Sequence, residues 1–304
     1  MVEKIINNKL LSTRGFEDLY PFKSRFTDIN GHEMHYIDKG EGRPVVMVHG
    51  NPTWSFYFRY LIQELSDDFR AIALDHIGCG FSDKPDVSMY DYTLASRVKD
   101  LDTLISALCI DEKISLVVHD WGGIIGLAWA VDNLEKVDKM IITNTSGFLL
   151  PTTKRFPFLL WIVKYLKAFA IPAVLGLNAF SKMALVLCSQ KGLPPKVKKG
   201  LIAPYNSWKN RIAILKFVQD IPIAKSDRSF QMVNHVDAHL KELKGSDLMF
   251  VWGAGDFIFD LNFLNEFERR FPQAKTRVYH DAGHYLFEDK PEETADDIKA
   301  FLNK

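Results

Sequence analysis

An abrupt change from strand to helix at Asp120 constrains this chain more than any other feature. Residues 117–126 read VVHDWGGIIG, so an apolar run ends in a polar pair, and Trp121 and two glycines lead into a helix-like run. A strand that enters a helix through small-x-nucleophile-x-Gly forms a tight turn that raises one side chain at the end of a sheet. The glycines leave room for close packing of strand and helix. The pattern predicts Asp120 as a nucleophile, although an Asp that caps a helix is the simpler interpretation of this motif alone.

Short apolar strands alternate with helices along most of the chain. Residues 26–39 alternate in polarity around Asn30-Gly31, which predicts a hairpin. Further strands are predicted at 44–48, 71–74, 115–118, 137–143, 247–252 and 276–280, and helices at 92–108, from residue 122 and before residue 301. This alternation predicts an α/β fold with a mostly parallel sheet and helices on both faces.

Residues 146–227 break the alternation and are predicted to be all-helical, with prolines at the breaks. We therefore expect a core domain of residues 1–145 and 228–304 with a helical cap inserted at 146–227. The most apolar stretch, residues 156–180, is interrupted by Lys164, Lys167 and Pro172, so we expect buried or amphipathic helices rather than a transmembrane segment. A surface that meets apolar ligands or a membrane interface remains open.

Two further residues follow Asp120 in the order nucleophile, acid, histidine. Asp256 lies just past a predicted strand in VWGAGD, and His284 lies near the C-terminus in DAGHYLF. His284 is the expected general base for water, and Asp256 is expected to hold its imidazole in the right tautomer. Taken singly, the two residues also suit a turn aspartate and a surface histidine.

Other residues compete for these roles. His280 lies inside a strand-like run, and His119 is expected to point away on the opposite side of the turn. Asp260 is the stronger rival, and the pattern leaves the choice between Asp256 and Asp260 open.

The loop His49–Trp54 follows a predicted strand and is the expected source of one backbone oxyanion donor, and the backbone N–H of Trp121 is the expected second donor. The side chains of Asn51 and Trp121 also offer N–H groups. With Asp120 they predict a small site that suits a leaving anion or a carboxylate, while the aspartate attacks carbon.

Composition excludes several classes of function. Lys and Arg together number 38, as do Asp and Glu, so no basic excess favours nucleic acid as a partner. No metal-ligand cluster or phosphate-binding glycine loop is visible, and we expect no cofactor. Cys79, Cys109 and Cys188 are too scattered for a disulfide framework and indicate core thiols. Together with the absence of a signal peptide pattern, this predicts a cytoplasmic protein.

The segments HGNPTWSFYFR, DHIGCGFSDKP and VHDWGG, with the late His284, resemble the Asp-nucleophile branch of the α/β-hydrolase superfamily over nearly the whole chain. Epoxide hydrolases share HDWGG but use cap tyrosines, for which Tyr165 and Tyr205 are available. HGNPTW with DWGG is more similar to the haloalkane dehalogenases, in which Asn and Trp side chains bind the departing halide. Asn144 is not acidic, so the resemblance implies an acid after the later strand.

Four other segments, YDYTLASRVKDLDTLI, IITNTSGFLLP, APYNSWKNRIAILKFVQDIPI and FDLNFLNEFERRFPQA, resemble the β-lactone decarboxylases of long-chain olefin biosynthesis. This implies conversion of a cis-3-alkyl-4-alkyl β-lactone to an alkene and CO2 on a small hydrophobic substrate, alongside other enzymes of an olefin-biosynthesis assembly. The alternative is a haloalkane dehalogenase. An epoxide hydrolase and a non-catalytic hydrolase-like binder are less favoured. The resemblance does not decide whether Asp120 attacks the ring carbonyl or the alkyl carbon.

Overall fold

Ten strands are present in the computed structural model, which describes all residues 1–304. In chain order they are β1 Glu3–Ile6, β2 Lys9–Ser12, β3 Ser24–Ile29, β4 His32–Lys39, β5 Pro44–Val48, β6 Arg70–Leu74, β7 Ile114–Asp120, β8 Val137–Thr145, β9 Asp247–Gly253 and β10 Lys275–Tyr279. Strands β3 to β10 form one sheet in the order β10-β9-β8-β7-β5-β6-β4-β3. The pairs from β10 to β6 are parallel, and β4 pairs antiparallel with both β6 and β3.

Twelve α-helices accompany the strands. They are α1 Arg59–Leu65, α2 Leu94–Ala107, α3 Trp121–Val131, α4 Phe158–Tyr165, α5 Lys167–Ala170, α6 Ala179–Leu187, α7 Pro195–Ile202, α8 Ile212–Asp220, α9 Phe230–His239, α10 Leu261–Arg270, α11 Leu286–Asp289 and α12 Pro291–Leu302. The segment Ile171–Gly176 between α5 and α6 is a π-helix. The predicted mixture of a mostly parallel sheet with helices on both faces is confirmed.

Both faces of the sheet are covered by apolar layers. Alternate residues of β5 show this: Val45 and Met47 enter one buried cluster, and Val46 and Val48 enter the other. Because a strand covered on both sides has no polar face, β5 and β7 are buried along their whole length. The apolar layers therefore hold the carboxyl ends of these central strands in place. Ligands bind at the carboxyl ends of strands in open α/β sheets.

The predicted hairpin at residues 26–39 is confirmed as β3 and β4. An additional N-terminal hairpin, β1–β2, was not predicted. Its turn residues Asn7 and Asn8 have φ of 51° and 59°, which Asn tolerates and a two-residue hairpin turn requires. The expectation that all three cysteines are core thiols is wrong for Cys109, which is exposed in the turn that follows α2.

No strand occurs between Thr145 and Asp247, and helices α4 to α8 lie within the segment that we propose as the cap, residues 146–227. No single helix in the structure has the length and apolar character needed to cross a membrane. Only the pair Phe158–Tyr165 and Lys167–Gly176, bent by 94° at its break, reaches that length and composition jointly.

Candidate active site

Asp120 ends β7 and has φ 52° and ψ −127°, a conformation that non-glycine residues rarely adopt. The following glycines explain how the chain accommodates this turn. A Cβ atom on Gly122 would overlap the carbonyl of Val48, and one on Gly123 would overlap the side chain of Thr145. The hydroxyl of Thr145 donates a hydrogen bond to the carbonyl of Asp120. Strand and helix thus meet closely enough to hold the Asp120 side chain upright at the end of the sheet.

The carboxylate of Asp120 is buried and held by backbone donors. Its Oδ1 accepts a 2.6 Å hydrogen bond from the backbone N–H of Asn51. Burial raises the pKa of Asp120, although the charge of His284 and the backbone N–H groups of Asn51 and Trp121 act in the opposite direction. Asp120 makes no side-chain hydrogen bond to the N-terminus of its own helix beyond Trp121, so it is not a conventional helix cap.

A network of hydrogen bonds fixes the loop that carries Asn51. Nε2 of His49 accepts a 3.0 Å hydrogen bond from the backbone of His76, and burial lowers the pKa of His49 to about 4, which keeps this ring neutral and able to accept. The hydroxyl of Thr53 donates to the carbonyl of Gly50 at 3.1 Å. Gly50 itself has no room for a side chain, since a Cβ there would overlap the carboxylate of Asp120.

His284 lies between the two aspartates. Its Nδ1 is 2.7 Å from Oδ2 of Asp256, and its Nε2 is 3.6 Å from Oδ2 of Asp120. Burial opposes the charge on the ring, but Asp256 and then Asp120 outweigh it and raise the pKa of His284. Because Nδ1 donates its proton to Asp256, Nε2 faces Asp120. In the neutral ring this Nε2 can accept a proton as a base, and in the protonated ring its N–H places positive charge toward Asp120.

Asp256 is a fully hydrogen-bonded acceptor. Its Oδ1 accepts from the backbones of Ile258 and Phe259 at 2.7 Å and 3.1 Å, and its Oδ2 accepts from Nδ2 of Asn144 at 3.0 Å. The rival Asp260 lies elsewhere: it caps α10 and forms a 2.6 Å ion pair with Lys154. The structure therefore brings Asp256, and not Asp260, to the imidazole.

His119 does not line the cavity, as expected, but it contacts the loop of His284 from the opposite side of the turn. Its Nε2 lies 2.8 Å from the carbonyl of His284, and the two rings lie 4.7 Å apart. The strand does turn His119 to the other face, but the loop carrying His284 crosses the end of β7 and meets it there. Tyr57 donates to the same carbonyl at 3.3 Å. A histidine in an otherwise apolar strand was the available signal, because a buried ring needs a hydrogen-bond partner. His280 is exposed just after β10.

The side chains of Asn51 and Trp121 line the same cavity as Asp120 but differ in their partners. Nδ2 of Asn51 donates a 3.1 Å hydrogen bond to the carbonyl of Ile214, which uses one of its two N–H groups. The indole of Trp121 packs 5.3 Å from the ring of Phe217, and its N–H makes no hydrogen bond within the protein.

A cavity of about 730 Å³ lies above Asp120 and His284, and 29 of its 38 lining residues are apolar. Most of them come from the segment 146–227, so this segment decides the shape of the cavity. The tyrosines considered for an epoxide hydrolase do not reach it. Tyr165 is exposed on α4, and the buried hydroxyl of Tyr205 donates to the carbonyl of Thr53 at 2.9 Å. Neither tyrosine lines the cavity, which agrees with the low rank given to the epoxide hydrolase alternative.

Comparison with known proteins agrees with this geometry. A family model described as the alpha/beta hydrolase fold matches residues 43–174 and 183–291. The chain is 44% identical to the cis-3-alkyl-4-alkyloxetan-2-one decarboxylase of Shewanella oneidensis, over 95% of this chain and 91% of that protein. It is 27% identical to haloalkane dehalogenase 2 of Mycobacterium bovis, over 91% and 94% of the two chains. Both relatives are named as enzymes.

The fold also matches solved structures. Haloalkane dehalogenase DbeA from Bradyrhizobium elkani superimposes with a TM-score of 0.83 at 22% identity, covering 93% of this chain and 98% of that one. The chain therefore belongs to the α/β-hydrolase family, in the branch that contains the cis-3-alkyl-4-alkyloxetan-2-one decarboxylases and, at greater distance, the haloalkane dehalogenases.

Proposed function

We propose that this chain decarboxylates cis-3-alkyl-4-alkyloxetan-2-ones to alkenes and CO2, with Asp120 as the nucleophile. The observation that carries the proposal is the Asp120 carboxylate, held at the base of an apolar cavity with Oδ1 bound by Asn51 and Oδ2 facing His284. The alignment with a named decarboxylase, at 44% identity, covers 95% of this chain and so includes the helical segment that lines this cavity. A β-lactone with two alkyl chains matches the cavity, because it presents one small polar ring and a large apolar surface.

The hydrogen bonds of Asp120 favour attack on the alkyl carbon C4. Attack on the ring carbonyl needs free donors for the carbonyl oxygen, but the N–H of Asn51 is already engaged by Asp120 itself. In our proposal a carboxylate oxygen of Asp120 forms a bond to C4, and the C4–O bond of the ring breaks to release a carboxylate on C3. The indole N–H of Trp121 and the second amide N–H of Asn51 are the donors available to that carboxylate.

Fragmentation completes the cycle without water. The bond between C3 and the carboxylate breaks, its electron pair forms the C3=C4 double bond, and the bond from C4 to Asp120 breaks. The products are CO2, an alkene and the regenerated carboxylate of Asp120. Inversion at C4 followed by anti loss of the two groups gives a cis alkene from a cis lactone. His284, held by Asp256, supplies positive charge 3.6 Å from Oδ2 of Asp120, the carboxylate that leaves C4.

The test incubates purified protein with a synthetic cis-3,4-dialkyl β-lactone and measures alkene and CO2 in equal amounts. We expect Asp120→Ala to abolish both products, while Asp132→Ala, an exposed aspartate at the end of the same helix, keeps them. Intact-protein mass spectrometry of a slow substrate identifies the intermediate. An alkyl ester on Asp120 survives hydroxylamine, whereas a mixed anhydride from carbonyl attack does not. Alkene formation by Asp120→Ala would contradict the proposal.

Haloalkane dehalogenation is the second candidate, and the unpaired indole N–H of Trp121 favours it, because such a donor suits a halide. Here Asp120 displaces halide from an alkyl carbon and His284 activates water to hydrolyse the ester. The amide of Asn51, with one N–H bound to the carbonyl of Ile214, keeps its second N–H for a halide as it does for a carboxylate. Bromide release from 1,2-dibromoethane, with no alkene from the lactone, would make dehalogenation the main activity.

We further propose that the protein works in the cytoplasm beside enzymes of an olefin-biosynthesis assembly, because a reactive β-lactone must be made by a preceding ring-forming reaction. Three free cysteines are compatible with a reducing compartment. Co-purification of the tagged chain from its own cells, with and without crosslinker, tests the association. Recovery of the chain alone under both conditions would contradict it.

A further inference from the structure

Helices α4 and α5 expose a continuous apolar surface, which we call the aromatic face and define as Phe158, Leu159, Trp161, Tyr165, Leu166 and Phe169. Phe158 is 70% exposed and Phe169 is 61% exposed, values unusual for phenylalanine. Phe158, Trp161 and Tyr165 recur at helical spacing on one side of α4. Their successive ring centroids are 6.2 Å and 5.5 Å apart, so they form one surface rather than scattered contacts.

Lys164, the only charged residue within α4, is buried beneath this face and is not exposed on it. Nζ of Lys164 donates to the carbonyl of Gln219 at 3.0 Å and lies 3.3 Å from Oδ1 of Asp227, so the lysine is buried against the protein. Lys164 interrupts the apolar run in the sequence, but it does not interrupt the exposed apolar surface. The aromatic face is uncharged from Phe158 to Leu166.

The segment that carries the aromatic face is strongly basic, and Asp227, the acid beside Tyr165, is already paired with Lys164. Between Asp138 and Asp220 the chain has no aspartate or glutamate but thirteen lysines and arginines, in a protein whose overall charge is zero. Arg155, Lys167 and Lys182 are exposed beside α4, α5 and α6, and none of them forms a salt bridge. An apolar, Trp- and Tyr-bearing face edged by free cations is the pattern of a helix that lies in an anionic lipid interface.

The aromatic face continues into the cavity above Asp120. Phe158, Leu159 and Phe169 are exposed and also line the cavity, as do Met183 and Leu187 of the neighbouring α6. The wall of the cavity and the outer surface are therefore one apolar surface. A water-soluble substrate gains nothing from such an entrance, whereas a ligand dissolved in lipid can pass along it without meeting water.

From these contacts we infer that the aromatic face docks on the surface of an anionic phospholipid membrane, with Trp161, Tyr165 and Leu166 inserted at the headgroup level and Arg155, Lys167 and Lys182 on the phosphates. The docking does not depend on the proposed function. The passage of a two-chain lactone or its alkene between bilayer and cavity does rest on the proposed function. Insertion is shallow, because the bend of 94° between the two apolar segments keeps them from crossing as one rod.

Vesicle sedimentation tests the docking directly, with no substrate present. We expect the wild-type chain to bind vesicles of phosphatidylcholine with phosphatidylglycerol, to bind vesicles of phosphatidylcholine alone much less, and to be released by high salt. Trp161→Ser with Leu166→Ser should weaken binding about tenfold or more, and Lys167→Gln with Lys182→Gln about tenfold. None of these four residues lines the cavity.

The control is Ile5→Ser with Met89→Ser, which removes two apolar side chains on β1 and on the loop before α2; at 72% and 70% they are more exposed than Trp161 and Leu166, at 42% and 47%. It should bind vesicles as the wild type does. Equal binding by the control and the Trp161→Ser/Leu166→Ser variant would overturn the inference, as would failure of the wild type to bind anionic vesicles. If the wild type does not bind vesicles but forms a dimer that the Trp161→Ser/Leu166→Ser variant does not form, the aromatic face is an interface between two copies of this chain. The inference is then wrong.

Discussion

The backbone N–H of Asn51 donates a 2.6 Å hydrogen bond to Oδ1 of Asp120. In a serine hydrolase, a loop donor at this place binds the substrate carbonyl. Here Asp120, the proposed nucleophile, accepts from this donor, which orients its carboxylate and leaves Oδ2 toward His284. This hydrogen bond supports the proposed attack on an alkyl carbon, because the same N–H is not free to bind a substrate carbonyl.

His284→Gln should affect the two candidate substrates differently. With a β-lactone, fragmentation needs no water, so we expect turnover to fall about 10²-fold but to continue through many cycles. With 1,2-dibromoethane, water activation is lost, so bromide release should stop after one equivalent and leave an ester on Asp120. Steady-state assays and intact-protein mass spectrometry measure both. Trapping of a stable ester with the lactone as well would show that water is required and contradict the fragmentation step.

The pH dependence of kcat/KM should report the ionisation of the buried carboxylate of Asp120. Asp120 must be ionised to attack, and burial raises its pKa above the ordinary value of 3.8. Activity should therefore be lost, as pH falls, at a higher pH than for an exposed aspartate. The charge of His284 lowers the pKa of Asp120, so His284→Gln should shift this acid limb to still higher pH. If the acid limb of the His284→Gln variant does not move, the charge of His284 does not affect the ionisation of Asp120.

Gly50→Ala should disable the site while leaving the fold largely intact. The added Cβ would overlap the carboxylate of Asp120, which must rotate away from the Asn51 donor and from His284. We expect kcat to fall about 10²-fold or more, because a small misplacement of a nucleophile is costly. Gly245→Ala is the control, since its Cβ meets nothing within 4 Å. Comparable activity of both variants would mean that the close approach of Gly50 is not needed.

Asp256→Asn and Asp260→Ala should separate catalysis from stability. Loss of the carboxylate that holds His284 should lower kcat by about 10²- to 10⁴-fold, because the imidazole loses both its tautomer and its counter-charge. Asp260→Ala removes a helix cap and should lower the free energy of unfolding by about 1 kcal/mol with activity retained. Urea titrations and kinetics on the same samples measure both effects, and the reverse outcome would assign the acid to Asp260.

Much of this arrangement is predictable because it depends on local sequence. A strand, a tight turn and a helix are dictated within residues 114–131 by an apolar run followed by glycines, and the chain order of Asp120, Asp256 and His284 follows from the positions of successive strands. The N-terminal hairpin was missed although its Asn7-Asn8 turn carries a signal, because the strands are short and only partly apolar.

The remaining features depend on contacts between distant segments. His119 meets the carbonyl of His284, the Asn51 amide meets Ile214, and Tyr205 turns to Thr53, each across at least 150 residues of sequence. Side-chain direction within one strand or loop says nothing about which loop will cross it. For this reason, the sequence did not reveal the partners of His119, Asn51 and Tyr205.

The sequence by itself determined the α/β architecture, the identity of the raised carboxylate and the order of its partners, because hydrophobic periodicity and glycine positions act over a few residues. Only the tertiary structure decided that Asp256 rather than Asp260 contacts His284 and that the backbone N–H of Asn51 binds Asp120. It also decided that Lys164 is buried, which leaves an apolar face on α4. These outcomes depend on which buried polar groups find partners, and that is settled only when remote segments pack together.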